Sequence, residues 1–318
     1  MNKEIKHNIF NWKFLLGSIF SIYLLWIVFE KFEINNFYKI ILDANFAYIL
    51  FAIIILLFSV YLRSLRWKLL FHSNDEINTR ILFDIQLIGY FANNVLPLRI
   101  GEVIKAYFVG NEYNISKSKV FGTIILERVL DMLGVIFLIL ISLLFSNYKY
   151  DLINNYLFLS IVVALLLLSY VLKNFRFKNL GENFVLKIIN DLIYGFTSLN
   201  NKNGLLSFFY TALIWICYIL IVFFTQLAIN FQLDLLQSIF ILLVSTFSLA
   251  IPSLPASIGI FEASVIYALT LLGINNNNVE FSIFLHSVTF FPYTIIGGYF
   301  FFKFYFNENK KIKNKIQL

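Results

Sequence analysis

The chain has 318 residues, a formal net charge of +7, 60% hydrophobic and only 14% charged side chains, with a mean hydropathy of +0.79. A soluble domain carries about 25% charged residues, so a fold bathed in water on all sides is excluded, and the chain reads as an all-α, polytopic membrane protein. The positive charge does not call for nucleic acid, because basic residues at helix ends also set membrane topology. The single cysteine, Cys217, allows no intrachain disulfide and reads as a small apolar residue.

Residues 1–13 are polar and basic, and 14–29 form an apolar run. Glu30-Lys31-Phe32-Glu33 follows in place of a small-x-small cleavage site, which predicts a retained first span. A second span over 46–62 ends in Arg63-Ser64-Leu65-Arg66-Trp67-Lys68. That is a membrane-exit pattern, with Arg63 and Arg66 snorkelling to phosphates and Trp67 at the headgroup level.

Residues 81–96 and 102–116 are each too short to cross about 30 Å of hydrocarbon at 1.5 Å per residue. With Pro97 and Gly101 between them, 81–116 reads as a re-entrant helical hairpin with its tip at Leu96–Gly101. Irregular backbone at that depth is tolerated only where protein or a wet cavity covers it. A full span at 120–145 and a polar loop at 147–155 close the first half.

The second half, 151–318, repeats the plan. Spans are predicted at 156–172, 205–229 and 279–302, with a basic segment from Lys173 to Asn203. A second hairpin, 236–272, consists of short pieces 236–251 and 258–272 around Pro252–Ser257, and the lysine-rich tail 303–318 is expected to be disordered. Nineteen basic residues fall on one side of this map, against Lys31, Lys39 and Lys149 on the other. The positive-inside rule then places both termini in the cytoplasm of a cell-membrane protein. Span, span, hairpin, span in each half (1–150 and 151–318) makes an inverted repeat with about six full spans, as in many secondary transporters. The two Leu-Pro pairs, ending at Pro97 and Pro255, lie 158 residues apart, and the expectation is that their tips enclose one charged pocket.

Charges inside these segments are the candidate site, since they are costly there and usually functional. Glu102 opens the returning half-helix of the first hairpin, where free N–H groups favour an anion. Arg99 beside it suits a forked pair with phosphate, and Asn94, Pro97 and Gly101 shape the tip. The plainer alternative is that Arg99 and Glu102 only cap and pair to keep the hairpin folded. Glu262 holds the matching turn of the second hairpin, with Gly259 allowing close backbone approach. It is a candidate proton carrier unless a basic group from the other half reaches it, or unless it is simply a helix cap. On the third span Glu127 and Asp131 share a face at i,i+4 and Arg128 reaches Asp131 at i,i+3, either as a site or as a self-neutralised cluster. His286 and Gln226 read as lone polar groups satisfied by interhelical hydrogen bonds.

Taken together, Arg63-x-x-Arg66-Trp67, Asn94-x-Leu96-Pro97-x-Arg99-x-Gly101-Glu102, Glu127-Arg128-x-x-Asp131 and Pro252…Gly259-x-x-Glu262 resemble a flippase-like integral membrane family. That family, also known as UPF0104-type, includes the membrane region of lysylphosphatidylglycerol synthases. The resemblance runs from the first span to the last, and Leu-Pro-x-Arg-x-Gly-Glu is its most specific part. It implies a membrane region that moves an aminoacylated phospholipid between leaflets, while a separate soluble domain makes that lipid. After Phe302 only the short tail remains, so no lysyltransferase activity is expected. Two departures stand out: Lys105 where relatives often carry Arg, and Ala256-Ser257 where Pro-Gly or Gly-Gly is common.

The expected function is therefore a lipid or glycolipid flippase-like transporter without enzymatic activity. Its expected partner is a membrane phospholipid or polyprenyl-linked lipid, with Arg63, Arg66, Arg99, Glu102, Glu127, Arg128 and Asp131 meeting an anionic or aminoacylated headgroup. The alternatives are a non-transporting partner of an enzyme of envelope lipid or glycan synthesis, and a lipid-modifying membrane enzyme. The last normally shows clustered Asp pairs or a His-rich metal set, whereas His7, His72 and His286 are scattered. No cofactor and no nucleic acid is expected.

Overall fold

The computed structural model describes residues 12–30, 32–72, 75–96, 100–145, 190–192, 194, 201–249 and 254–316. Among these, every regular element is a helix. In chain order they are α1 (Trp12–Glu30), α2 (Ile34–Leu42), α3 (Phe46–Lys68), α4 (Thr79–Val95), α5 (Gly101–Tyr113), α6 (Lys117–Phe145), α7 (Asn201–Ala228), α8 (Leu235–Ser248), α9 (Ile260–Leu271) and α10 (Asn278–Ile316). A short 3-10 turn, Pro255–Ser257, lies between α8 and α9. Phe46–Lys68, Lys202–Ala228 and Asn278–Phe306 are long and apolar enough to cross a bilayer. Helices also occupy the predicted first and third spans. The predicted span at 156–172 and the loop at 147–155 lie outside the described residues.

A helix ends near each predicted hairpin tip and another begins after it: α4 stops at Val95 and α5 starts at Gly101, and α8 stops at Ser248 and α9 starts at Ile260. One expectation is corrected and one element is added. The tail is not irregular: α10 runs on to Ile316, because a stretch of Lys, Asn, Glu and Ile without Gly or Pro has nothing in it to stop a helix. The segment 30–45, placed only as a stretch between the first two spans, contains α2. Its Phe37 and Ile41 face a cluster with Ala44, Ala52 and Phe284, while Ile34, Tyr38 and Leu42 form an exposed stripe at i,i+4 spacing.

The chain forms two compact units. Unit 1 comprises Met1–Leu56, Ile88–Gly101 and Ile219–Leu318, and α9 packs there against α8, α10 and α1. Its core holds Val222, Leu233, Ile241, Val265, Phe281 and Leu285, with Phe231 stacked on Phe281 at 4.3 Å. Asp234 caps α8 by accepting the Gln237 N–H, and Gln237 returns the bond to the Asp234 N–H.

The turn into α9 is tight. Ala256 and Ser257 have φ of 55° and 62°, and Gly259 has φ of 89°. The tip thus keeps a left-handed path even though Ala and Ser stand where glycine is favoured. A Cβ on Gly259 would lie 2.4 Å from the Ser21 carbonyl oxygen of α1. At the other interruption the Gly101 N–H donates to Asn93 Oδ1 at 2.8 Å. A Cβ on Gly101 would come within 2.2 Å of the Gly89 carbonyl oxygen, so this glycine lets α5 start directly against the backbone of α4.

Unit 2 comprises Leu57–Leu87 and Glu102–Tyr218. It contains the end of α3, the start of α4, α5, α6 and most of α7. Trp67 is fully buried there and donates its Nε1–H to Thr123 Oγ1 at 2.8 Å. The indole expected among lipid headgroups thus faces protein instead, locked to α6 inside the unit.

Candidate functional site

Arg63 and Arg66 stand three apart on α3, and Glu127 and Asp131 four apart on α6, so each pair presents one helical face. In unit 2 these faces meet. Both terminal nitrogens of Arg63 donate to Asp131 Oδ2 (3.1 and 3.2 Å), and its Nε donates to the Tyr218 hydroxyl at 2.6 Å. Arg66 Nη2 donates to Asp131 Oδ1 at 2.7 Å and lies 3.9 Å from Glu127, while Nη1 donates to Thr211 Oγ1 at 2.9 Å. The two arginines thus do not snorkel to phosphates; Arg66 is 0% exposed. The reason is energetic. A carboxylate facing inward from α6 offers a closer counter-charge than a lipid headgroup does, and an unpaired one would be costly to bury.

Glu127 is the second centre of the network. Its Oε2 accepts from Lys105 Nζ at 2.9 Å, and its Oε1 accepts from Gln86 Nε2 at 3.0 Å. The Lys105 ammonium also lies 4.4 Å from the centre of the Trp67 ring, a cation–π contact. At the edge of the cluster Arg128 joins Asp131 at 3.4 Å and Glu102 at 2.6 Å. The side chains of Arg128 and Glu102 are 46% and 24% exposed, so this pair is the open end of an otherwise buried array.

Four cations (Arg63, Arg66, Lys105, Arg128) therefore face three carboxylates (Glu102, Glu127, Asp131). Among these seven side chains the cations outnumber the carboxylates by one, and the buried Arg66 Nε has no hydrogen-bond partner. The interior of the array is held together by its own salt bridges and hydrogen bonds.

Unit 1 holds a second polar focus. Glu262 Oε2 accepts the Gly259 N–H at 2.7 Å and so caps α9, and Oε1 lies 2.5 Å from His286 Nδ1 on α10. Glu262 is thus a helix cap, as one of the alternatives had it, and its side-chain partner comes from the same half of the sequence, not from the other. The two side chains form the polar floor of a cavity of about 200 Å³ walled mainly by Leu25, Val28, Phe29, Ile258 and Phe290.

Among the remaining predicted residues, Asn94 donates to Thr294 Oγ1 at 2.9 Å and to the Phe290 carbonyl at 3.3 Å, tying α4 to α10 inside unit 1. Pro97, Arg99 and Pro252 lie outside the described residues. Gln226 accepts the Leu233 N–H at 3.0 Å and closes the turn from α7 to α8. Sequence reasoning did not assign Lys105, Gln86, Thr211 or Tyr218 to the cluster. A lysine within a segment otherwise apolar was the one available signal; the neutral three carry none.

Comparison with known proteins places these residues in context. The model of the family described as lysylphosphatidylglycerol synthase TM region matches residues 14–297. Two UPF0104 membrane proteins of Methanocaldococcus jannaschii are similar: one is 28% identical over 71% of this chain and 99% of its own length, the other 23% identical over 76% and 80%. A UPF0104 membrane protein of Methanothermobacter thermautotrophicus is 26% identical over 73% of this chain and 78% of its own. No solved structure matches.

Proposed function

The chain belongs to the lysylphosphatidylglycerol synthase TM region family, and on that premise we propose that this integral, multi-pass membrane protein is a lipid or glycolipid flippase-like transporter. It moves an anionic or aminoacylated headgroup between the leaflets of the cell membrane and performs no covalent chemistry on it. Both termini are cytoplasmic, and the two halves form an inverted repeat in which 81–116 and 236–272 are the re-entrant hairpins. In favour of this reading stand two interrupted helix pairs with glycine at the start of the returning helix, and the basic residues gathered on one side of the map.

The observation that carries the proposal is the charge array of unit 2. A cluster serving only to glue helices together is best neutral, because each uncompensated charge away from water is destabilising. Among its described members this one has one more cation than carboxylates, and it has an open edge at Arg128–Glu102. A phosphate arriving there finds a guanidinium already oriented, and Glu102 is the group it must displace or that an aminoacyl ammonium would meet. Meanwhile the lipid chains stay in the bilayer. Glu262 and His286 form the site where proton uptake couples to the cycle.

The test is exchange between leaflets. Purified protein is reconstituted into liposomes carrying fluorescent-headgroup phospholipids or polyprenyl phosphates, and the accessible fraction is followed with a membrane-impermeant quencher. Exchange above protein-free liposomes that falls in Arg128→Gln and Glu102→Gln supports the reading. No exchange of any such headgroup by correctly inserted protein overturns it.

A further inference from the structure

The charge array leaves unused a separate cleft of unit 2. It has a volume of about 470 Å³, opens between α5 and the start of α6, and is walled by Val103, Ala106, Tyr107, Phe121 and Leu192. Val103 and Tyr107 are 58% and 43% exposed. Among the described residues, its lining is otherwise polar only at Lys117, Ser118 and the Tyr107 hydroxyl. The Ser118 hydroxyl is committed to Asp191 Oδ2 at 2.5 Å, and Ser116 donates to the same oxygen at 2.7 Å. The nearby carboxylate is thus turned towards the serines. Lys117 forms no ion pair among the described residues, and its ammonium lies 4.4 Å from the centre of the Tyr107 ring.

The backbone is shaped to put that ammonium in the cleft. Gly110 lies one turn after Tyr107 on α5, and a Cβ there would meet Lys117 Cγ at 2.9 Å and the Ile115 carbonyl oxygen at 3.0 Å. The aliphatic stem of Lys117 therefore crosses bare backbone and points its charge along the apolar wall. A cation at one end of an apolar groove, on a chain surrounded by lipid, is complementary to one kind of neighbour.

We propose that this cleft is a binding site for an anionic phospholipid of the surrounding bilayer, with the phosphate on Lys117 and one acyl chain along Val103, Ala106, Tyr107 and Phe121. Its volume falls in the range of small-molecule sites, about 300–1,000 Å³. It differs from the charge array in that, among the described residues, no carboxylate pairs with its cation. Occupancy there holds one lipid on the protein whether or not any headgroup is being moved.

The experiment reads binding and not exchange, so it stands or falls apart from the transport proposal. Purified full-length protein is loaded with phosphatidylglycerol or phosphatidylcholine of matched chains, and retained lipid is counted by native mass spectrometry. The expected result is preferential retention of phosphatidylglycerol, reduced roughly fivefold in Lys117→Gln and restored in Lys117→Arg. Gly110→Ala, which displaces the lysine stem, lowers the preference as well. Val103→Trp, a change at an exposed position that fills the groove, lowers retention of both lipids. Equal retention of phosphatidylglycerol by the wild type, Lys117→Gln and Val103→Trp overturns the proposal. So does a Lys117→Gln protein that loses both lipids to the same extent, because the groove would then not read the headgroup.

Discussion

Lys105 Nζ lies 2.9 Å from Glu127 Oε2, and both side chains are buried. Breaking such a pair from one side leaves a charge with no counter-charge, at a cost of about 3–5 kcal/mol. Lys105→Met is therefore expected to lower the melting temperature in detergent sharply. Lys105→Met with Glu127→Gln is expected to recover more than half of the loss, because no full charge is then stranded. A double-mutant cycle on thermal unfolding checks this; simple additivity would place the two residues outside a common network.

The two ends of the array are expected to respond differently. Arg66 is fully buried and donates to both Asp131 and Thr211, so Arg66→Ala should lower folded yield severely. Arg128 is half exposed, and an exposed ion pair contributes about 0–1 kcal/mol. Arg128→Gln should melt within a few degrees of the wild type and yet lose most of the headgroup exchange. Measuring yield, melting temperature and exchange on the two variants side by side separates scaffold from site.

Gly101 and Gly204 make a matched pair of tests. A methyl group on Gly101 would meet a backbone oxygen at 2.2 Å, whereas around Gly204 there is nothing within 4 Å. Gly101→Ala should destabilise by at least the 1–3 kcal/mol typical of overpacking. Gly204→Ala, near the start of α7, should be neutral or stabilising by up to about 0.5–1 kcal/mol. Melting temperatures of the two variants are the readout.

If Glu262 and His286 couple a proton to the cycle, His286→Gln should retain exchange while losing its response to a pH gradient imposed across the liposome. Glu262→Gln should do the same and still cap α9, since an amide oxygen can accept the Gly259 N–H that the carboxylate now takes at 2.7 Å. Gradient-driven exchange in both variants equal to that of the wild type would remove the coupling role.

The interrupted helices and the face shared by Glu127 and Asp131 were legible because they rest on local rules: segment length, proline and glycine placement, and helical spacing. What was not legible is set by tertiary choice. Arg63 and Arg66 look in sequence like cations waiting at a membrane exit, and nothing within the helix says that Asp131, 68 and 65 residues away, will draw them inward. Trp67 was misplaced for the same reason: its partners, Thr123 and Lys105, belong to other helices. The pairing of His286 with Glu262 was half visible, as a polar group in search of a bond with no indication of which one. α2 was missed because nine residues carrying two asparagines and a lysine resemble a linker in composition, and only their spacing is helical.

The salt bridges from α3 to α6 also bear on the order in which the chain is made. During synthesis α3 leaves the ribosome before α6, so its two guanidiniums are already in place when Glu127 and Asp131 arrive. Taken alone, α6 carries two acids and an arginine into lipid and is a poor candidate for insertion; with α3 waiting, it enters as half of a preformed pair. A ribosome-stalled fragment ending after α6 should therefore leave the translocon efficiently, and the same fragment with Arg63 and Arg66 replaced by glutamine should stall there.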